Sequence, residues 1–143
     1  MADAPEPQPS LPLSGRHIVL GLTGGVACYK AAELARELVK AGATVQAVMS
    51  ASAQQFITPL TFSSLTGKPA RTELFDVMDH IRIAQDNRIF VIAPATADLI
   101  AKLAHGLADD LLTTSYLAFD GAVVVAPAMN VNMWKHPATQ ANL

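Results

Sequence analysis

Residues able to do chemistry gather in three short stretches of this 143-residue chain, each just after an apolar run. In "GLTGGVACYK", residues 21–30, a Gly-Gly pair lets the backbone approach a ligand closely. A helix starting there would add unpaired N–H groups and about half a positive charge, which with the Thr23 hydroxyl suits a phosphate. Such a dipole contributes roughly 0.3–1 kcal/mol, up to about 2 kcal/mol, so it cannot hold a ligand alone. A plain strand-to-helix turn explains the same residues equally well. Ser50 and Ser52 offer hydroxyls in the second stretch, and Thr96 and Asp98 do so in "APATADLIAKLA". Helix capping accounts for each of them singly. Convergence of all three stretches on one crevice would favour a mononucleotide with an extended polar chain.

Four histidines and one cysteine complete the reactive inventory. His80, in "MDHIRIAQD", has Asp79 and Asp86 near it in sequence and could take a proton at neutral pH with modest tuning. The residues alone favour a solvated surface histidine there. His17 opens a strand at the rim opposite the candidate crevice, His105 suits a helix C-terminus, and His136 is ambiguous. Cys28 falls on an alanine-rich helical face and reads as a small buried filler rather than a reactive thiol. The sequence has no P-loop, no G-x-G-x-x-G fingerprint, no C-x-x-C or H-E-x-x-H spacing and no G-x-S-x-G elbow. Metal and serine-hydrolase readings fall away.

The elements that must place these residues alternate. Strands are expected at 17–21, 44–49, 89–93 (stopped by Pro94) and 122–126, the last a buried-looking run of valines. Helices are expected from about Val26 to Ala41 with Gly42 after it, from Pro59 to Leu65, from a Thr96 N-cap to His105, and from Asp109 or Asp110 towards Phe119. Pro137 belongs in the first turn of a last helix. Residues 67–79 carry no clear pattern, and His80 to Ala84 reads as a short strand or extended loop. The result is an α/β fold, a doubly wound parallel sheet with helices on both faces, in a single domain. Ligands of such sheets bind beyond the carboxyl ends of the strands, so the loops at 23–25, 50–52, 94–98 and 127–130 should share one rim.

Composition narrows the partners. The chain is 51% hydrophobic and 15% charged with a net charge of -2, lean in charge beside the usual ~25%, which points to a homo-oligomer. No basic cluster suits nucleic acid, and no apolar run approaches the ~20 residues of a membrane span. Residues 1–15, rich in proline, read as a flexible leader without a signal-peptide core. A single cysteine and the missing signal suit the cytoplasm.

Taken together, "GLTGGVACYK", "FITPL", "HIRIAQDNRIFVIAPATADLIAKLAHGLADDLL" and "APAMNVNMW" resemble the FMN-dependent cysteine decarboxylases over about residues 16–143. The likeness is nearest to the branch that turns 4′-phosphopantothenoylcysteine into 4′-phosphopantetheine in coenzyme A biosynthesis. It implies that Thr23, Gly24, Gly25, Ser50, Ser52, Thr96, Ala97 and Asp98 hold FMN, with Ala128 against the flavin. It further implies that His80 is the active-site base, and that Asn130 meets the substrate carboxylate with Met133 beside it. Relatives form trimers with the site at the subunit boundary. They also carry a covering segment with a proton-donating cysteine downstream of Leu143, which Cys28 is in the wrong place to replace. The same resemblance leaves room for a peptidyl-cysteine decarboxylase, a flavin-prenylating relative, or a non-catalytic FMN-binding regulator.

Overall fold

The computed structural model describes residues 9–75 and 79–143. The first half runs β1 (His17–Leu22), α1 (Cys28–Lys40), β2 (Thr44–Met49), a single 3-10 turn (Ala53–Gln55) and α2 (Pro59–Thr66). The second runs α3 (Asp79–Asp86), β3 (Ile89–Ala95), α4 (Ala97–His105), α5 (Leu111–Ala118), β4 (Ala122–Pro127), α6 (Val131–Lys135) and α7 (Pro137–Asn142). The four strands pair in parallel in the order β2-β1-β3-β4.

Side chains alternate across a strand, so each strand feeds two cores. Ile18, Leu20 and Leu22 join Val45, Ala47 and Met49 beneath Ala31 and Ala35 of α1 and Phe62 of α2. Val19, Val48, Phe90 and Ile92 face the other way, onto Ile83 of α3, Leu99 and Ile100 of α4, and Leu111 and Leu112 of α5. Each such aliphatic or aromatic side chain, fully buried, contributes roughly 1.5–3 kcal/mol. The expected doubly wound sheet is therefore present. Gly42, at φ 99°, takes the left-handed turn out of α1, as its position after the helix requires.

Five expectations change. The segment from His80 is helical, because Asp79, Ile83 and Asn87 recur every four residues and all three are buried on one face. Strand β3 runs through Pro94 to Ala95: proline needs no partner for an N–H it lacks, and the register shifts between Ile92 and Ala95. Helix α1 begins at Cys28 rather than Val26, the preceding residues forming the turn. Residues 11–15 are not loose, since Leu13 donates its N–H to the Ala41 carbonyl at 2.8 Å and packs on the first core. Of the rest of the expected leader, residues 9 and 10 are exposed and residues 1–8 lie outside the described residues. Finally, β4 is exposed along its whole length, with Val124 at 52%. It is the sheet's edge strand, and its valines have the composition of a buried strand without a cover. Among the described residues no helix is long and apolar enough to cross a membrane.

Candidate functional site

At the carboxyl ends of β1, β2 and β3, the three stretches meet around a cavity of about 380 Å³, within the 300–1,000 Å³ usual for small-molecule sites. Thr23, Ser50, Ser52, Thr96 and Asp98 line it, as expected, together with Lys102, Asp109 and Asp110.

Thr23 directly follows the first strand and is buried. Its Oγ1 donates to the Pro94 carbonyl at 2.6 Å and accepts from the Thr96 N–H at 3.1 Å. The hydroxyl proton is thus committed to clasping β1 against the end of β3, and Thr23 shapes the cavity rather than offering it a donor. Cys28 reinforces the same turn, its buried Sγ donating to the Thr23 carbonyl at 3.2 Å. That is the filler role, not a reactive thiol.

Gly24 is required by space. A Cβ there would lie 2.5 Å from both Cβ and Oγ of Ser52 and 3.0 Å from its carbonyl carbon. Ser50 Oγ accepts from the Ala53 N–H at 3.2 Å and lies 3.1 Å from Ser52 Oγ, so the two serines form a hydroxyl pair on this wall. Gly25 is less constrained, with only the Pro94 ring at 4.0 Å from its added Cβ. Among the described residues, the N–H groups of Gly24, Val26 and Ala27 make no hydrogen bond within the protein, whereas those of Gly25 and Cys28 are used in the turn.

On the third wall, Thr96 caps α4 by accepting from the Leu99 N–H at 3.2 Å, with Ala97 as the first helical residue. The capping role and the lining role coincide in one side chain. Lys102, one turn along, reaches Asp98 at 3.5 Å and Asp109 at 3.0 Å. Asp110 accepts from the Thr113 N–H at 2.8 Å while its own N–H donates to Thr113 Oγ1, a capping box that opens α5. The sequence offers Asp109 or Asp110 only as the start of a helix, and does not single out Lys102. The only signal pointing further was the four-residue spacing of Asp98 and Lys102.

The Asp109 carboxyl is held below its usual 3.8, chiefly by the hydrogen bond from Lys102. The Lys102 ammonium is raised above 10.5, first by the same bond and also by the Asp98 and Asp109 charges. A depressed acid stabilises above its unfolded value and loses that contribution as pH falls through the folded one; a raised base does so below 10.5 and loses it as pH rises. Because Asp109 is mostly solvent-exposed, the effect is small and screened. Lys102→Met is therefore expected to lower the urea midpoint slightly at neutral pH and low salt. The difference from the parent should shrink as pH falls below 3.8 and through the lowered Asp109 value, and in about 1 M salt.

A second cavity, about 310 Å³ and mainly apolar, lies between α1 and the end of β4, lined by Ala31, Leu34, Ala93, Pro94, Pro127 and Ala128 among others. Ala128 is held there by its N–H bond to the Ala95 carbonyl at 3.0 Å. The expected single rim is thus two neighbouring cavities that share the Thr23–Pro94 clasp between them.

His80, Asn130 and Met133 line neither cavity. His80 is the second residue of α3, and its Nδ1 is buried without a partner among the described residues. Asn130 caps α6, its Oδ1 accepting from the Asn132 N–H at 2.8 Å, which leaves the Nδ2 amide as the outward donor. Met133 and Trp134 stand beside it, both exposed. His136 caps α7 through Nδ1, and His105 lies in the last turn of α4.

The family described as Flavoprotein matches residues 7–143. The coenzyme A biosynthesis bifunctional protein CoaBC of Vibrio cholerae serotype O1 is 50% identical over 136 residues, covering 92% of this chain and 34% of its own. The Bacillus subtilis protein of the same description is 45% identical with the same coverage. The chain spans about a third of the length of the curated relatives it matches. Among solved structures, the FMN-dependent cysteine decarboxylase SpaF superposes with TM-score 0.86 at 32% identity, over 91% of this chain and 78% of that one. A PPC decarboxylase C175S mutant complexed with pantothenoylaminoethenethiol superposes at 0.76 with 28% identity, over 89% and 74%.

Proposed function

The chain belongs to the flavoprotein family, and from that premise we propose that it binds FMN in the hydroxyl-lined cavity and decarboxylates the cysteinyl end of 4′-phosphopantothenoylcysteine. The observation that carries this reading is the meeting of Thr23, Ser50, Ser52 and Thr96 around one cavity at three strand ends, with Gly24 packed directly against Ser52.

The donor set fits the cofactor. Neutral serine hydroxyls and free N–H groups near Gly24 suit a phosphate, which three unbalanced carboxylates would repel. Asp98 and Asp109 are already engaged by Lys102, and Asp110 by its cap, so the acidic wall offers acceptor oxygens suited to the hydroxyls of a ribityl chain. Ala128 and the apolar second cavity offer a flat hydrophobic bed alongside. Gly25, Thr96, Ala97 and Asp98 complete the cradle.

The chemistry that bound FMN would supply is two-electron oxidation of the cysteinyl side chain, with return of the electrons once carbon dioxide has gone. His80 would take the proton lost from the substrate, at Nε2, since Nδ1 is buried. Asn130 would donate from Nδ2 to the departing carboxylate. A neutral amide orients that group without a positive charge that would oppose its loss as neutral carbon dioxide. Met133 would flank the same carboxylate.

His80 and Asn130 reach neither cavity within one chain, and β4 exposes three valines. Both observations support assembly of several copies, with the site completed at a boundary between subunits. The open surface at Asn130 and Trp134 also suits a peptide C-terminus; one structural neighbour is the peptidyl-cysteine decarboxylase EpiD, at 25% identity and TM-score 0.76. Competition between the two substrates separates these readings. The first test is to mix the protein with FMN, remove free flavin on a sizing column, and assay carbon dioxide release from phosphopantothenoylcysteine. Retained flavin and release of the gas are expected. A protein that emerges colourless overturns the reading of the cavity.

A further inference from the structure

Nothing in the His80 side chain's own hydrogen bonding fixes its ring. Nδ1 is buried without a partner among the described residues, so the ring's direction is inherited from the backbone that carries it. That backbone is the first turn of α3, and the residue before His80 is Asp79, only 7% exposed.

A buried carboxylate is strongly unfavourable unless a cation offsets it. Here Arg71 stands opposite at ion-pair distance, its Nη1 3.4 Å from Asp79 Oδ2, although that buried oxygen accepts no hydrogen bond among the described residues. Arg71 is itself anchored. Its N–H donates to the Ala47 carbonyl at 2.9 Å, its carbonyl accepts from the Met49 N–H at 2.9 Å, and it forms a one-residue parallel bridge with Val48. The arginine is therefore a post fixed to the edge of β2, with its side chain reaching the start of α3. Turning α3 by one residue, about 100°, would carry Asp79 away from Arg71 and swing His80 with it. At the other end of the same face, Asn87 Nδ2 donates to the Ile83 carbonyl at 2.9 Å and closes the helix.

We propose that the Arg71–Asp79 pair is a positioning device that sets the rotation of α3 and so aims His80 Nε2 at the substrate. The proposal rests on the reading of His80 as the proton-handling residue. Neither Arg71 nor Asp79 touches substrate in it; both act through the helix.

The test uses the full chain loaded with FMN and compares Arg71→Met, Arg71→Lys, Asp79→Asn and His80→Asn. Arg71→Met is expected to lower kcat about tenfold or more with KM within about twofold, the pattern of a misaimed group rather than lost binding. Arg71→Lys should restore most of that loss, and flavin absorption should stay unchanged throughout. By NMR, the His80 imidazole resonances should move in Arg71→Met and return in Arg71→Lys. Should Asp79→Asn fail to fold, the half-exposed Arg71 still carries the comparison. Unchanged kcat and unchanged His80 resonances in Arg71→Met, alongside an inactive His80→Asn, overturn the proposal. If His80→Asn retains full turnover, the catalytic reading of His80 falls instead. The resonances alone then decide whether the pair aims the ring.

Discussion

A Gly24→Ala protein is expected to fold and yet to bind FMN about ten- to a hundredfold more weakly. The added Cβ would sit 2.5 Å from Ser52 Cβ and Oγ, a separation that no side chain tolerates, and 3.0 Å from Ser52 backbone. Something must shift, and the clash falls on the exposed Ser52 rather than on a side chain of either core. Overpacking of this kind costs about 1–3 kcal/mol, and at 1.4 kcal/mol per decade a cost of about 1.4–2.8 kcal/mol gives that range of affinity. The loss should appear in FMN rather than in the fold because Ser52 and its partner Ser50 are one wall of the cavity. Fluorescence titration measures it. Ser52→Gly in the same background removes two of the three clashing atoms and should recover part of the affinity. Unaltered FMN binding in Gly24→Ala would mean that the cofactor does not use this wall.

The second large effect is the opposite in kind. His80→Asn should leave FMN bound and reduce carbon dioxide release roughly 10²- to 10⁴-fold, the usual contribution of a positioned acid or base. Asparagine keeps a polar group of similar reach but cannot exchange a proton near neutral pH. Because His80 lines neither cavity, its loss should not disturb flavin colour. A variant that keeps more than about a tenth of the parent rate, or that loses its flavin while folded, removes His80 from this role.

Much of this was legible because the sheet announces itself. Continuous apolar runs at β1 and β3 separated by Gly- or Pro-marked loops dictate strands buried on both faces, and those strands fix which loops share a rim. Thr23, Ser50, Ser52, Thr96 and Asp98 were found that way, and the structure gathers all five. What escaped had physical causes. Helix α3 hides its buried face behind Asp79 and the Asn87 that follows it, polar residues that apolar periodicity does not count. Lys102, Asp109 and Asp110 stand at positions that helix surfaces and caps fill with the same residue types, so nothing local distinguishes a cavity wall. Strand β4 misled in the other direction: Val123, Val124 and Val125 have the composition of an interior, and only three-dimensional context shows that nothing in the described chain covers them.

The strand order also sets a timetable. β1 pairs with β2 from His17↔Thr44 onward, but its other edge waits for β3, at Ile18↔Ile89. Between the emergence of Met49 and that of Ile89 lie about forty residues, or about 2–8 s at a synthesis rate of roughly 5–20 residues per second. During that interval a nascent two-stranded ribbon carries one bare edge. Val19 and Val48 also lie open on its second face, because α3, α4 and α5 have yet to leave the ribosome. A holdase at the tunnel exit would matter most to this chain in those seconds, and a translational pause placed after β2 would lengthen its exposure.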